Sequence, residues 1–257
     1  MSKFELNKLT EIGEAIKQFQ STIEPIRNAV MKFHSGITKP VSAYPDFFKN
    51  INQIAKELKE LPERQRAIWG VAAKKGWYVN WETLVAINEA ALKEQEALDE
   101  FMMSHLKNDW ESITHEILTV CPERAEILLC AFDLHQNKNY IASIPLFLSQ
   151  SDGICAQHLG AFLFTEKDNL SEKLSQRLKA EEGYLEMLLG VLGISTQFGA
   201  RIRKSSNSEK ALAPNRSGIL HGSRKHLDYG TEQNSFKAFS LLAFLAFVLA
   251  DKRNVEI

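Results

Sequence analysis

Apolar residues recur at steps of three and four positions along much of the chain, the spacing that places side chains on one face of an α-helix. The first such stripe covers residues 9–33 and contains Pro25, which predicts a kink or a new helix because proline lacks an amide donor. A second stripe covers residues 47–61 and follows Pro45, a residue suited to the first helical position. The spacing of the first stripe is compatible with a coiled-coil partner, but we favour packing on the protein's own core.

The helical pattern continues through the middle of the chain. Residues 62–76 are predicted to form one helix, and residues 82–118 are predicted to be helical with an acidic outer face. Between them lie three aromatic residues, Trp77, Tyr78 and Trp81. Such a group can stack on nucleobases or wedge two helices together. Because few basic residues lie among them, we favour the wedge.

Pro122 begins a second series of helices. A short helix is predicted to end before residue 137, and a longer one is predicted over residues 140–163, with a kink at Pro145. A third is predicted over residues 171–192, with a charged outer face.

The last predicted helix is the most apolar run of the chain, residues 236–250, which follows a polar loop over 203–214. Because Lys237 interrupts the run and its length is below the ~20 residues of a membrane span, we interpret it as a buried core helix. No internal repeat or strand pattern is visible, so the expected fold class is all-α. We expect an N-terminal helical region of unknown role, residues 1–118, and a C-terminal helical bundle, residues 119–257.

Composition and charge narrow the class of protein. The 257 residues carry a formal net charge of -1, which argues against binding nucleic acid with the whole surface. Cys121, Cys130 and Cys155 are an odd set without a Cys-x-x-Cys pair, which indicates reduced thiols and no structural zinc. The charged N-terminus leads into an amphipathic helix and not into an apolar signal sequence. We therefore expect a cytoplasmic protein with no cofactor, no metal and no membrane attachment.

The histidines do not form a recognisable metal site with one another or with the cysteines. Cys155 with His158, or His221 with His226, could hold a metal only if the fold joined the pairs, and no second pair stands at zinc-finger spacing. Three isolated histidines are expected on helix surfaces: His105, His115 and His135.

Positive charge is concentrated between Arg201 and His226, where seven basic residues accompany one acidic residue. Such an island can attract a phosphate chain, although a solvated loop can be basic by chance. It contains Arg216, whose guanidinium can hold a phosphate, and His221, a residue type that exchanges protons near neutrality. Residues five apart on a helix point roughly 140° apart. Either the arginine side chain curls round, or the helix ends at Gly218 or Gly222 and the turn brings both groups to one cleft.

Arginine and histidine together suit the cleavage of RNA. An RNA strand carries its own nucleophile, the 2′-hydroxyl, so cleavage needs a base, an acid and a cation for the developing charge. Asp152 interrupts a nearly uncharged helical stretch, a local irregularity that tends to mark function, with a solvated bend as the alternative. Lys237 shares a helical stripe with Leu241 and Phe244. Its ammonium is expected either at the cleft or extended to solvent.

The motif and its surroundings resemble a known family. Residues 216–221, Arg-Ser-Gly-Ile-Leu-His, fit the Arg-x4–6-His motif of the HEPN superfamily (higher eukaryotes and prokaryotes nucleotide-binding). The following segments, residues 228–231 and 234–238, are similar to the end of many bacterial HEPN-like proteins. Upstream, residues 122–124, 140–145 and 150–154 resemble the first helices of the same group, and residues 72–77 are similar to the N-terminal extensions of its members. The resemblance covers about residues 120–251 closely and the first hundred loosely.

The resemblance implies a C-terminal HEPN-like bundle and a catalytic role for three residues. Arg216 and His221 would form the catalytic pair, and Asp152 would be the acid that faces them. Members of the family dimerise so that two motifs line one cleft, which implies a homodimer. The residue after the arginine is usually Asn, Asp or His, whereas this chain has Ser217. Substrate positioning is expected of four residues: Ser217, Asn215, Tyr229 and Lys237.

The function expected from these residues and this resemblance is a metal-independent endoribonuclease. It would cut RNA by attack of the 2′-hydroxyl and leave a cyclic phosphate, in antiviral (phage) defence or a toxin-like stress response. RNA would be its substrate, and an antitoxin or regulatory protein could be a further partner. The alternative is a non-catalytic helical module that binds RNA, a nucleotide or a partner protein, in which Arg216 and His221 serve recognition or structure.

Overall fold

The computed structural model describes residues 66–80, 83, 87, 94–166, 170, 172–174, 176, 191–192, 197–200 and 212–249. About 75% of these residues are helical and none lies in a strand, which confirms the predicted all-α class. The chain divides into two compact units, Met1–Leu61 and Pro62–Ile257, and every described residue belongs to the second. The stripes predicted over residues 9–33 and 47–61 lie outside the described residues, as do most of the predicted helix over 171–192 and the loop up to residue 211.

From Gln95 to Leu159 the helices follow one another with short connections. Residues 66–74 are helical. The elements after them are α1 (Gln95–Asn108), α2 (Trp110–Val120), a 3-10 turn (Pro122–Arg124), α3 (Ala125–Gln136), α4 (Tyr140–Leu159), a 3-10 turn (Gln197–Gly199), α5 (Arg216–Leu220), a 3-10 turn (Arg224–His226) and α6 (Glu232–Leu249).

Helix α6 lies at the centre of the bundle. It packs most extensively on α4 and also contacts α1 and α2. Residues 235–246 are all buried, which explains why this run is apolar on every side. The prediction of a buried core helix is confirmed. Within the described ranges, no helix combines the length and the apolarity that crossing a membrane requires.

The prediction of continuous helix over residues 82–118 is wrong. Thr83 lies in a turn, Ile87 is not helical, and α1 begins at Gln95. Asn80 and Thr83 form two reciprocal hydrogen bonds. The amide of Asn80 donates to the hydroxyl of Thr83 at 2.9 Å, and the amide of Thr83 donates to the side-chain oxygen of Asn80 at 3.0 Å. These reciprocal bonds fix the turn in which Thr83 lies. Asp109 then separates α1 from α2.

One further helix end follows from a local residue. Helix α4 ends at Leu159 and not at residue 163, because Gly160 adopts a left-handed conformation with φ of 68°.

Trp77 and Tyr78 are buried, and the Tyr78 ring lies 5.3 Å from the Phe244 ring. The wedge interpretation is confirmed for these two residues, while Trp81 lies outside the described residues.

His135 was expected on a helix surface, and that expectation is wrong. Its side chain is only 5% exposed and stacks on Trp110, with ring centroids 4.5 Å apart. Nδ1 lies 2.8 Å from the hydroxyl of Ser235, which in turn lies 2.9 Å from the hydroxyl of Ser143. A histidine can therefore be buried here because the ring has an aromatic neighbour and its nitrogen has a polar one.

The hydrophobic core is continuous across residue 118. Leu98 and Met102 of α1 and Ile113 of α2 belong to the same buried cluster as Phe147 of α4 and Phe239 of α6. The expectation that residues 1–118 have a role separate from residues 119–257 stays a prediction.

Candidate functional site

Asn215 sets the position of the short helix α5. Its backbone is extended, and its side-chain oxygen accepts a hydrogen bond from the amide of Gly218 at 2.6 Å. Asparagine is among the preferred residues for this capping position. Its side-chain nitrogen donates to the carbonyl of Ala200 at 2.8 Å. Since Asn215 is 1% exposed, the contacts it makes position Arg216, the next residue, within the fold.

Arg216 forms an ion pair with Asp152 of α4. Nη2 lies 3.3 Å from Oδ2, and the other carboxylate oxygen accepts a hydrogen bond from the amide of Phe164 at 3.2 Å. The guanidinium carbon lies 5.8 Å from the centre of the Phe164 ring. Asp152 is buried inside a continuous helix, so the alternative of a solvated bend is wrong. No signal in the sequence pointed to Phe164.

Burial and hydrogen bonding act on Asp152 in opposite directions. Removal from water raises the pKa of its carboxyl group above the ordinary value, and the nearby Glu166 adds to this. The amide of Phe164, the charge of Arg216 and the amide of Leu163 lower the pKa. Arg216 therefore favours the charged form of Asp152 against the effect of burial.

Arg216 is not fully satisfied by this pair. Its Nε is buried and has no hydrogen-bond partner among the described residues. Its side chain remains 21% exposed, compared with 8% for Asp152. An arginine that is held in place by a buried carboxylate and keeps a partly exposed side chain has capacity for an anionic ligand.

His221 lies exposed at the other end of α5. Its backbone amide donates to the carbonyl of Ser217 at 3.1 Å, and Gly222 follows with φ of 60°. Of the two predicted ends of this helix, the observed one adjoins Gly222, whereas Gly218 lies inside the helix. His221 makes no hydrogen bond or ion pair with Arg216 or Asp152 in the described part of the chain. Of the three predicted catalytic residues, Arg216 and Asp152 are therefore in contact, whereas His221 is separate from them in the described part of the chain.

Gly218 allows His226 to pack against α5. A side-chain carbon at position 218 would overlap Cδ2 of the His226 ring. His226 is 2% exposed, and burial lowers the pKa of its imidazole. The sequence drew attention to the glycine as a helix end, but the residue is required for this close approach instead.

Ser217 and Tyr229 occupy different surroundings. Ser217 is half-buried, and its hydroxyl makes no hydrogen bond within the described segments. The Tyr229 hydroxyl donates to the carbonyl of Ile141 at 2.9 Å, at the start of α4. Asp152 lies eleven residues further along that helix, a distance of about 16 Å at the usual rise. The described contacts of Tyr229 therefore join a loop to the first turn of α4 and do not reach the Arg216–Asp152 pair.

Lys237 lies in the interior of the bundle. Its ammonium donates to the carbonyl of Leu212 at 2.8 Å and lies 3.2 Å from the carboxylate of Asp99. Its Nζ also lies 5.3 Å from the centre of the Trp77 ring. At 2% exposure it does not extend to solvent, and its described contacts are with Asp99, Leu212 and Trp77. Burial lowers the pKa of this amine, while Asp99 raises it.

Comparison of the chain with protein-family models, curated proteins and solved structures finds no match. The HEPN superfamily therefore remains a resemblance based on the motif and its neighbouring segments. Within the residues that the structure describes, no three His, Cys, Asp or Glu side chains lie close enough together to hold a metal ion.

Proposed function

We propose that the protein is a metal-independent endoribonuclease of the HEPN type. The supporting observation is the ion pair between Arg216 and Asp152 at one end of a five-residue helix whose other end presents His221 to solvent. A fixed guanidinium suits a phosphate, and an accessible imidazole suits proton transfer. The basic segment from Arg201 to His226 would attract the RNA backbone to this position.

In this proposal Arg216 holds the scissile phosphate and stabilises the charge that develops on it. Asp152 keeps the guanidinium in place from the buried side. His221 accepts the proton of the 2′-hydroxyl as that oxygen attacks phosphorus. The bond from phosphorus to the 5′-oxygen breaks, and this oxygen receives a proton. The products are a 2′,3′-cyclic phosphate and a free 5′-hydroxyl.

Because one imidazole has to serve as base and as acid, a homodimer suits the reaction. Two subunits that face each other would provide one histidine to accept a proton and another to donate one. Asn215 would act through the cap of α5, and Lys237 through the carbonyl of Leu212 shortly before that helix. Ser217 and Tyr229 are kept as candidate positioning residues. By resemblance, the setting is antiviral defence or a toxin-like response in the cytoplasm, with an antitoxin or regulatory protein as partner.

The test is incubation of the purified protein with mixed single-stranded RNA in EDTA. The wild type is expected to cleave RNA, leave cyclic phosphate ends and spare DNA of the same sequence. Arg216→Ala and His221→Ala are expected to abolish cleavage. His115→Ala is the matched control, because His115 is an exposed histidine on α2. Cleavage that requires added metal, or that survives both site substitutions, contradicts the proposal.

A second candidate is an RNA-binding module without catalysis. It is favoured by the fact that His221 has no hydrogen-bonded carboxylate to orient it in the described part, as catalytic histidines commonly have. In that case the wild type binds RNA without cutting it, and Arg216→Ala weakens binding. A nucleotide or a partner protein would replace RNA as ligand if RNA does not bind.

A further inference from the structure

A second arginine lies against the helix that carries Asp152. Arg124, from the turn Pro122–Arg124, places its guanidinium over Gly153, the residue that follows Asp152. A side-chain carbon at position 153 would lie 2.7 Å from Nη1 of Arg124. Glycine at this position therefore allows the guanidinium to rest directly on the backbone of α4.

Two glutamines of α4 hold Arg124 in this orientation. Nη1 donates to Oε1 of Gln150 at 3.0 Å, and Nη2 donates to Oε1 of Gln157 at 2.8 Å. Positions 150, 153 and 157 are spaced by three and four residues, so they share one face of the helix. The guanidinium is thus fixed at both of its terminal nitrogens.

The two glutamines orient the guanidinium of Arg124 without neutralising its charge. Both glutamines are uncharged, and arginine has more N–H donors than these two bonds use. Within the described residues, the carboxylate at ion-pair distance is that of Glu123, 3.6 Å from Nε and 49% exposed. Arg216, by contrast, faces a buried carboxylate. A preoriented arginine with neutral acceptors and free donors is suited to a phosphate.

The two arginines contact successive residues of α4. Asp152 and Gly153 are successive residues, so the directions in which they face differ by about 100° around the helix. Arg216 approaches at the first position and Arg124 at the second. Gln157 is exposed, and its amide nitrogen is available to the same oxyanion.

From this geometry we infer that Arg124, with Gln150 and Gln157, forms a second phosphate subsite for single-stranded RNA, next to the phosphate held by Arg216. The inference rests on the proposed function for its ligand. The alternative is a purely structural role, in which Arg124 only connects the turn at Pro122 to α4 and binds no ligand.

The experiment measures binding of the full-length protein to a fluorescent single-stranded RNA over a range of salt concentrations. The RNA carries 2′-O-methyl groups, so that binding is separated from cleavage. For Arg124→Gln we expect about a tenfold loss of affinity, as for a lost hydrogen bond to a charged group. The slope of log affinity against log salt is expected to fall by about 0.7, the contribution of one phosphate contact on a single strand.

Gly153→Ala provides the decisive second variant. It keeps every charge but displaces the Arg124 guanidinium, and the fold is expected to be retained because alanine favours helix more than glycine. We expect a loss of affinity without a lower melting temperature. Lys74→Gln is the charge control, because Lys74 is an exposed residue on the helical segment 66–74. This variant is expected to keep the wild-type affinity and slope.

The outcomes separate this inference from the proposed function. If the wild type binds RNA but both Arg124→Gln and Gly153→Ala bind as it does, the subsite is overturned. It is also overturned if only Arg124→Gln loses affinity and that variant melts at a lower temperature. If both variants lose affinity but the wild type does not cut unmodified RNA, the subsite stands and the ribonuclease proposal fails. A wild type that neither binds nor cuts RNA overturns both.

Discussion

The guanidinium of Arg216 lies 3.3 Å from the carboxylate of Asp152, although 64 residues separate the two along the chain. The pair joins α5 to the middle of α4 and leaves the arginine partly exposed on its other side. A buried carboxylate that holds a cation in place, with an accessible histidine at the far end of the same short helix, is the arrangement on which the proposed chemistry depends.

Arg216→Ala is expected to destabilise the protein in a pH-dependent way. At pH 7 the loss should be about 2 kcal/mol, because a buried carboxylate loses its countercharge. Burial already raises the pKa of Asp152, and removing Arg216 raises it further, so the folded protein binds a proton more readily than the unfolded chain. The loss should therefore shrink as the pH is lowered towards 4. Urea unfolding at several pH values measures it.

The matched control for this prediction is the Asp152→Asn background. There Arg216→Ala should cost clearly less than in the wild type, because no buried charge is left unpaired. Equal costs in the two backgrounds would show that the ion pair contributes nothing to stability.

His221→Gln should separate activity from stability. The side chain is exposed and makes no hydrogen bond or ion pair within the described segments, so unfolding free energy should change by less than about 0.5 kcal/mol. RNA cleavage should fall by about 100-fold or more, as for loss of a general acid or base. Thermal melting and a cleavage time course measure the two effects. A variant that keeps its activity removes His221 from the mechanism.

Gly218→Ala should destabilise α5 through His226. The new methyl group would overlap the His226 ring, which is buried and cannot easily move away. A cost of about 1–3 kcal/mol is typical of overpacking. In a His226→Ala background the same substitution should cost much less, since the space is then open. Gly222→Ala cannot serve as a control for this overlap. Gly222 has a positive φ, so alanine would strain the backbone there, although no neighbouring atom lies within 4 Å.

The buried ion pair of Lys237 and Asp99 should respond asymmetrically to substitution. Asp99→Ala leaves a buried ammonium with the carbonyl of Leu212 as its remaining described acceptor, at a cost of about 3–5 kcal/mol. Lys237→Met should cost less, because Asp99 still accepts hydrogen bonds from Trp77 and Gln233, both at 2.6 Å. Chemical denaturation of the two variants measures the difference.

A suitable control for that asymmetry is Lys107→Met. The ammonium of Lys107 lies 2.9 Å from the carboxylate of Glu232, but both side chains are more than 40% exposed. Loss of such a surface pair should change stability by less than about 1 kcal/mol. If Lys237→Met proves more damaging than Asp99→Ala, the account of the buried pair is wrong.

The buried His135 should make the protein less stable in acid. Burial lowers its pKa from 6.5 to about 4, so the unfolded chain takes up a proton at a pH where the folded protein does not. The folded protein therefore has its full stability with respect to His135 above pH 6.5. It loses stability as the pH falls towards 4, below which the loss levels off. The total loss is on the order of 3 kcal/mol. Unfolding titrations measure it, and His135→Phe should flatten this part of the profile while His115→Gln, at an exposed position, should not.

Much of the helical architecture could be predicted from periodicity. The apolar run of α6 indicated a core helix because it has no polar face, and the helix predicted over residues 140–163 is α4 with four residues too many at its end. The error at the end of α4 has a local cause, because Gly160 adopts a left-handed conformation that a hydrophobic pattern does not reveal. The helix predicted over residues 82–118 is wrong at Thr83, which lies in a turn, and at Ile87, which is not helical.

The candidate site was predicted only as a set of residue types. Asp152 attracted attention as a carboxylate in an apolar stretch, and Arg216 and His221 as a motif. Their mutual contacts could not be predicted, because residues far apart in sequence meet through the packing of several helices. For the same reason His135 was expected at the surface and Lys237 at a cleft or in solvent.

By itself, the sequence determined that the described part of the chain is helical, that the run now seen as α6 is a buried core helix, and at which positions the reactive side chains lie. The helices and the buried run follow from local propensity and from the spacing of apolar residues, both of which can be recognised from neighbouring positions in the sequence. Only the tertiary structure decided which charge has which partner. Arg216 pairs with Asp152 and Lys237 with Asp99, because a buried charge is stable only where packing brings an opposite charge or a hydrogen-bond acceptor within reach.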